Sequence, residues 1–245
     1  MTGSKRIMIL VSSMLSGGAE RVAATLANTW VARGDDVTLV PSFSGRGRCH
    51  YTLSPNVQLT FLADLAGTAT RRGKNYLKRL LTLRRLIRRE RPDVVVAIMS
   101  NVNVMALLAT RGLPVPVVVS EQTSFAHVPL GPIFESLRRW CYPLAACVTV
   151  LTSEERRWVE GHIPRARVSV IPNPLEYPLP SSEPVLPPGR FVPADRQLLL
   201  AVGRMSEEKL SRYCSTRFPA SPTSASSGTW RSWVTDPIGL HWKHR

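Results

Sequence analysis

A doubly wound α/β sheet of parallel strands is the fold the sequence predicts, on three observations. Short all-apolar runs recur along the first 173 residues, segments of helical spacing separate them, and glycine or proline punctuates nearly every junction. Strands apolar on both sides of the pleat belong to a sheet covered by helices on both faces, and helical crossovers make such a sheet parallel.

Each element follows in turn. "RIMILV" is the first buried strand, "SSMLSGGAER" breaks it, and "VAATLANTWVARG" carries helical spacing closed by Gly34. "DVTLVPSF" is the second strand. "NYLKRLLTLRRLIRRER" is a basic amphipathic helix stopped by Pro92, and "DVVVAIMS" is the strand after it. "NVNVMALLATRG" is a helix, "PVPVVVSE" a strand, "GPIFESLRRWCYPLA" a helix, "CVTVLTS" a strand, "SEERRWVEGH" a helix and "RVSVIPNP" a strand. Residues 1–173 therefore form one Rossmann-like domain. Seven prolines between positions 174 and 196 mark an extended linker, and residues 197–209, "QLLLAVGRMSEEK", open a second α/β domain with a strand and a turn. After Lys209 the pattern stops. The last 36 residues hold seven serines, three of the six tryptophans and one acid, without a sustained period, so residues 210–245 are expected to be disordered.

Composition bounds function as well. At 44% hydrophobic the 245 residues have ample material for a core. Four cysteines, Cys49, Cys141, Cys147 and Cys214, show no CxxC or Cys/His metal spacing; they read as reduced thiols of a cytoplasmic protein, and no metal is expected. No apolar run approaches the roughly 18 residues a membrane span needs. The net charge of +15 is concentrated: ten Lys or Arg lie between Arg71 and Arg91 against one acid, Glu90. Arg71, Arg72, Lys74, Lys78, Arg79, Arg84, Arg85, Arg88 and Arg89 form a surface for an anionic membrane, an ordinary solvated face being the simpler alternative. Nucleic acid is the remaining reading of this charge and is not expected as a partner, because no aromatic platform, helix-turn-helix or RNP-like signature accompanies it.

Three short motifs bear on chemistry. In "SGGAER", Gly17 and Gly18 can expose backbone N–H groups at a helix start, with Arg21 one turn on. It is not the GxGxxG fingerprint, and no P-loop occurs, so nicotinamide and simple ATP-binding readings lose support. "SEQTSFAH" brings Glu121 and His127 to the end of the fourth strand, where a switch point presents ligand-facing groups; a satisfied surface histidine is the alternative for His127, and His162 is structural. In "GRMSEEK", Gly203 permits close backbone approach, while Arg204 and Lys209 supply cations where a diphosphate would meet a helix N-terminus; a basic surface turn is the bland reading.

Five motifs in fixed order, "SGGAERV", "VVVSEQTS", "VTVLTSEE", "VSVIPNPL" and "LLAVGRMSEEK", make residues 6–209 resemble the N-terminal half and first step of the C-terminal half of a GT-B glycosyltransferase. They are most similar to the retaining family 4 enzymes that build bacterial surface polysaccharides. The resemblance implies a cofactor-free sugar transfer from a nucleotide-sugar donor, a UDP-sugar, to a lipid-linked saccharide acceptor at the cytoplasmic face of the inner membrane. It assigns donor diphosphate binding to Gly203, Arg204 and Lys209, a glycine-rich loop to Gly17, Gly18 and Arg21, and the place of a functional residue to Glu121 or His127. Leu210 stands where the family has glycine, and the family's E-x7-E carboxylate pair is missing. The expectation is a truncated or frameshifted product, inactive alone. The alternatives are a noncatalytic membrane-binding module, or half of a split enzyme that pairs with a separately encoded donor domain.

Overall fold

The computed structural model describes residues 3–43, 48–68, 73–123, 131–175, 200–202, 231–236 and 239–243. Contacts divide the chain into two units, Met1–Leu175 and Glu176–Arg245.

In the first unit the strands are β1 (Arg6–Val11), β2 (Asp36–Pro41), β3 (Gln58–Leu59), β4 (Val94–Ile98), β5 (Val117–Ser120), β6 (Cys147–Val150) and β7 (Val168–Val170). The helices are α1 (Gly18–Ala32), α2 (Leu62–Leu65), α3 (Gly73–Glu90), α4 (Ser100–Thr110), α5 (Pro132–Cys141) and α6 (Ser153–His162). One seven-stranded sheet results, in the order β3-β2-β1-β4-β5-β6-β7. Every pairing in it is parallel. The doubly wound sheet expected from the all-apolar runs is therefore present. Two short elements, β3 and α2, were not foreseen, because two and four residues carry no readable period.

Strand alternation sorts the core into two layers. Met8, Leu10, Val40, Val95 and Ala97 point to one face, where they meet Leu83, Leu86 and Ile87 of α3, Leu107 of α4 and Cys141 of α5. Ile7, Ile9, Val11, Val37 and Leu39 point to the other, under Val22, Ala23 and Ala27 of α1. Small residues on α1 let the helix sit close to the sheet. Gly34, at φ +91, closes α1 in a left-handed conformation that glycine adopts without strain.

Tyr76 of α3 packs edge-on against Phe134 of α5, with ring centroids 6.4 Å apart. Burial pushes its phenol up to about 12. Its buried hydroxyl has no hydrogen-bond partner among the described residues. Tyr76→Phe removes an unsatisfied polar atom and keeps the ring, so thermal unfolding should show stability unchanged or raised by up to about 1 kcal/mol. A loss of that size would mean the hydroxyl does hold a partner.

In the second unit β8 (Leu200–Val202), β9 (Arg231–Asp236) and β10 (Gly239–Lys243) form a three-stranded sheet in the order β10-β9-β8. The strand at 200–202 lies where "QLLLAV" places one. β9 and β10 lie in the segment for which the sequence showed no period. They are antiparallel, with Asp236 opposite Gly239. "TDPIGL" supplies turn chemistry between two short runs that contain Trp233 and Trp242, which is a local hairpin signal.

Candidate active-site crevice

The sheet order reverses direction between β1 and β4, and the crevice of such a sheet opens at the carboxyl ends of those strands. Three segments reach it: residues 12–17 after β1, Met99 and the start of α4 after β4, and the end of β5.

The glycine-rich turn is held from two sides. Tyr51 Oη donates to the Gly17 carbonyl at 2.7 Å and accepts from the Gly17 N–H at 3.1 Å. Ser13 Oγ donates to Glu20 Oε1 at 2.7 Å, folding that carboxylate back over the start of α1. A Cβ on Gly17 would stand 2.2 Å from Glu20 Oε2, so glycine is what admits the fold-back. Gly18 is exposed with nothing within 4 Å of a built Cβ, and Arg21 is exposed one turn on. The turn thus presents open backbone toward solvent at the head of α1, whose first residues carry unsatisfied N–H groups.

Met99 links β4 to α4 at φ +85, a left-handed value that an unbranched non-glycine side chain adopts only under strain. Its N–H donates to the Ser120 carbonyl at 3.0 Å, and its carbonyl accepts from Val102 and Asn103. That peptide starts α4 directly off the strand.

Glu121 was expected to face ligand. Instead it is 1% exposed. The reason is strand parity: Val117 and Val119 point into the helical layer of α3, α4 and α5, and Glu121 continues the same side. Ser100 Oγ donates to Glu121 Oε2 at 2.6 Å, Asn103 Nδ2 donates to Oε1 at 3.2 Å, and Tyr142 Oη makes a short hydrogen bond to Oε1. Asn103 Nδ2 also reaches the Ser120 carbonyl and Tyr142 Oη, at 3.1 and 3.2 Å. Burial holds the Glu121 carboxyl above the usual range, against the opposing pull of these donors and of Arg138. Burial and the neighbouring carboxylate likewise raise the Tyr142 phenol well above its ordinary value. The carboxylate therefore positions the ends of β4 and β5 by tying α4 and Tyr142 to them.

Sequence reasoning missed Tyr51, Met99 and the partners of Glu121. For the last there was a signal: Ser100 and Asn103 are polar, three residues apart, on an otherwise apolar helix, and so share one face. Nothing in the spacing marked Tyr51. His127, Gly203, Arg204, Lys209, Arg71 and Arg72 lie outside the described residues.

On α3 the expected cationic surface divides. Arg79 is 3% exposed, with its guanidinium 4.7 Å from the Phe43 ring centroid and Nε donating to the Asn75 carbonyl. Arg84 Nη1 donates to the carbonyls of Ala109 and Arg111 at 2.7 and 2.8 Å, capping the end of α4. These two cations serve the fold rather than a surface. Lys78, Arg85, Arg88 and Arg89 are exposed, and Arg89 pairs with Glu90. Among the described residues no cluster of His, Cys, Asp and Glu could hold a metal ion, and no helix is long and apolar enough to cross a membrane.

Comparison with known proteins places this architecture. Sucrose-phosphate synthase from Thermosynechococcus elongatus superposes at a TM-score of 0.74, with 14% identity, over 96% of this chain and 64% of that one. The lipopolysaccharide outer core galactosyltransferase WaaB gives 0.60 at 16% identity over 92% of this chain and 59% of that one. At such identities the likeness establishes the fold, which is that of GT-B glycosyltransferases. A Campylobacter jejuni protein named GalNAc-alpha-(1->4)-GalNAc-alpha-(1->3)-diNAcBac-PP-undecaprenol alpha-1,4-N-acetyl-D-galactosaminyltransferase is 26% identical over 205 residues, 83% of this chain and 54% of that protein. The chain thus spans about half the length of the curated relative it matches. The sequence profile of Glycosyltransferase Family 4 matches residues 16–176, from the glycine-rich turn to just past β7. This chain belongs to Glycosyltransferase Family 4.

Proposed function

We propose that residues 6–175 form the acceptor half of a retaining glycosyltransferase that moves a sugar from a UDP-sugar to a lipid-linked saccharide. The observation that carries this reading is the match of the family profile to residues 16–176, a span that begins at the glycine-rich turn of the switch-point crevice. The relative named for an undecaprenol-diphosphate-linked acceptor supports the acceptor class.

In the reaction, the bond between the sugar's anomeric carbon and the donor diphosphate breaks, and an acceptor hydroxyl oxygen bonds that carbon and passes its proton to an oxygen of the departing diphosphate. The nucleoside diphosphate leaves with the electron pair. Charge grows on the leaving diphosphate, and the backbone N–H groups at the start of α1, from exposed Gly18 on, are suited to stabilise it. In the second unit Gly203, Arg204 and Lys209 are by residue type suited to a diphosphate. Glu121 takes no proton in this scheme; with Ser100, Asn103 and Tyr142 it keeps the crevice floor rigid. A donor-binding half, in the split arrangement a separately encoded one, completes the crevice.

The exposed arc of α3 gives this half a seat on the cytoplasmic membrane surface. At 100° per residue, the exposed Leu77, Arg88, Leu81, Arg85, Lys78 and Arg89 fall within about 120° of helix surface with no acid among them.

The test is a binding and transfer assay with a panel of UDP-sugars and an undecaprenol-diphosphate-linked saccharide. The expected result is binding of the lipid-linked saccharide by the chain, with label transfer once a donor-binding half is added. Transfer by the chain alone would overturn the division of labour, and failure to bind the acceptor would overturn the acceptor assignment.

A further inference from the structure

Nine large apolar side chains are exposed among the described residues, and five belong to one helical layer: Leu77 and Leu81 on α3, Ile133 and Trp140 on α5, and Leu144 just after it. Ile133 is 74% exposed and Trp140 52%. Along α5, Pro132, Ile133, Ser136, Leu137 and Trp140 recur at helical spacing and line a shallow apolar groove on its outer side. The inner side already buries Arg138 and Cys141. The helix has two faces fit for burial, and the fold uses one.

Charge around the groove says what covers it. The Arg111 guanidinium lies 4.5 Å from the Trp140 ring centroid, and Arg139 is exposed beside it. Arg84 of α3 binds the Arg111 carbonyl, so the cationic helix, the end of α4 and Trp140 are mechanically joined. The single acid of each helix, Glu90 on α3 and Glu135 on α5, is paired with an arginine. An apolar strip edged by cations, with an indole half in and half out, suits the interface of an anionic bilayer.

We propose that the outer face of α5 inserts into the acyl region of an anionic membrane through Ile133 and Trp140, as an apolar anchor distinct from the electrostatic seat on α3. The proposal rests on the membrane reading above and adds a second, salt-resistant contact to it. Helices that cross between parallel strands run antiparallel to them, so the N-terminus of α5, with Ile133, lies at the crevice edge of the sheet. Insertion there holds that edge against the bilayer, where the saccharide of a lipid-linked acceptor emerges.

The experiment is co-sedimentation of the 245-residue chain with phosphatidylcholine vesicles containing or lacking phosphatidylglycerol, at low salt and at about 0.5 M salt, where surface charges are screened within a few ångströms. The wild type is expected to keep a residual bound fraction at high salt. Ile133→Ser/Trp140→Ser should weaken that residual binding at least about tenfold. Lys78→Glu/Arg85→Glu/Arg88→Glu should abolish the low-salt gain and leave the residue of binding intact. If the α5 variant binds like wild type at high salt, α5 insertion is overturned while the α3 seat stands. If the wild type ignores anionic vesicles even at low salt, both fall. Brominated acyl chains give an independent readout: they should quench wild-type fluorescence, and the quenching should drop in Trp140→Phe; equal quenching in the two proteins would overturn insertion.

Discussion

Glu121→Gln should make the protein increasingly more stable, relative to wild type, as pH rises from about 4 toward 8. Burial raises the folded-state pKa of Glu121 above its unfolded value, which is about 4.3 for a free side chain. For a group raised on folding, the native state binds the proton more tightly. The stability this contributes is fully present below the unfolded pKa and is lost as pH climbs through the folded one. Between the two values the wild type loses up to about 1.4 kcal/mol per pH unit from this group alone. Glutamine does not titrate, and its amide fits the same partners. Its oxygen accepts from Asn103 and Tyr142, and its NH2 donates to the Ser100 hydroxyl, which then acts as acceptor. Other carboxylates titrate equally in both proteins, so the difference in Tm between variant and wild type isolates residue 121. A difference that shrinks or reverses with rising pH would mean that the anion is the form the site prefers, and that its hydrogen bonds outweigh burial.

How much of this was legible in the sequence depends on the scale at which a residue acts. The strands β1, β4, β5 and β6 were plain, since "IMILV", "VVVAI", "VVVS" and "CVTV" can only be buried on both faces. The parity of Glu121 was also on the page, two steps beyond Val119, although expectation placed the side chain in the crevice. Periodicity alone could have turned Arg79 inward, because it falls within about 20° of Leu86 on the helix. What sequence could not supply was chemistry joined across long separations. Tyr51 meets Gly17 over 34 positions, and Tyr142 meets Glu121 over 21. Neither pairing leaves a local trace, because each depends on where the sheet brings two loops together. The donor-side motif is a further case: its assignment to a diphosphate rests on residue types and family resemblance, and Arg204 and Lys209 lie outside the described residues.

Arg138→Met is expected to be costly, by about 3–5 kcal/mol near neutral pH, because it removes the cation from a buried charge cluster. Arg138 is 1% exposed; it bonds Glu135 and stacks its guanidinium 5.2 Å from the Trp158 ring centroid. Its charge also acts on Glu121, holding that buried carboxyl lower than burial alone would leave it. The two carboxylates respond differently to its loss. Glu135 is about a quarter exposed and turns to water, whereas Glu121 has no such exit. Methionine fills the space of the aliphatic stem, so the packing cost is small and the electrostatic one dominates. Without Arg138 the folded pKa of Glu121 climbs further, so the penalty is expected to be larger at a higher pH than at a lower one. The same logic predicts that Arg138→Met costs less in a Glu121→Gln background, with a coupling of about 0.5–3 kcal/mol in a double-mutant cycle. Denaturant unfolding of the four proteins at the two pH values measures it. Equal penalties in both backgrounds and at both pH values would assign Arg138 to packing on Trp158 alone. A pH-dependent coupling would instead tie α5, whose outer face is proposed to meet the membrane, to the carboxylate that fixes the end of β5. The lipid-facing and crevice-facing sides of the domain would then share one buried charge network.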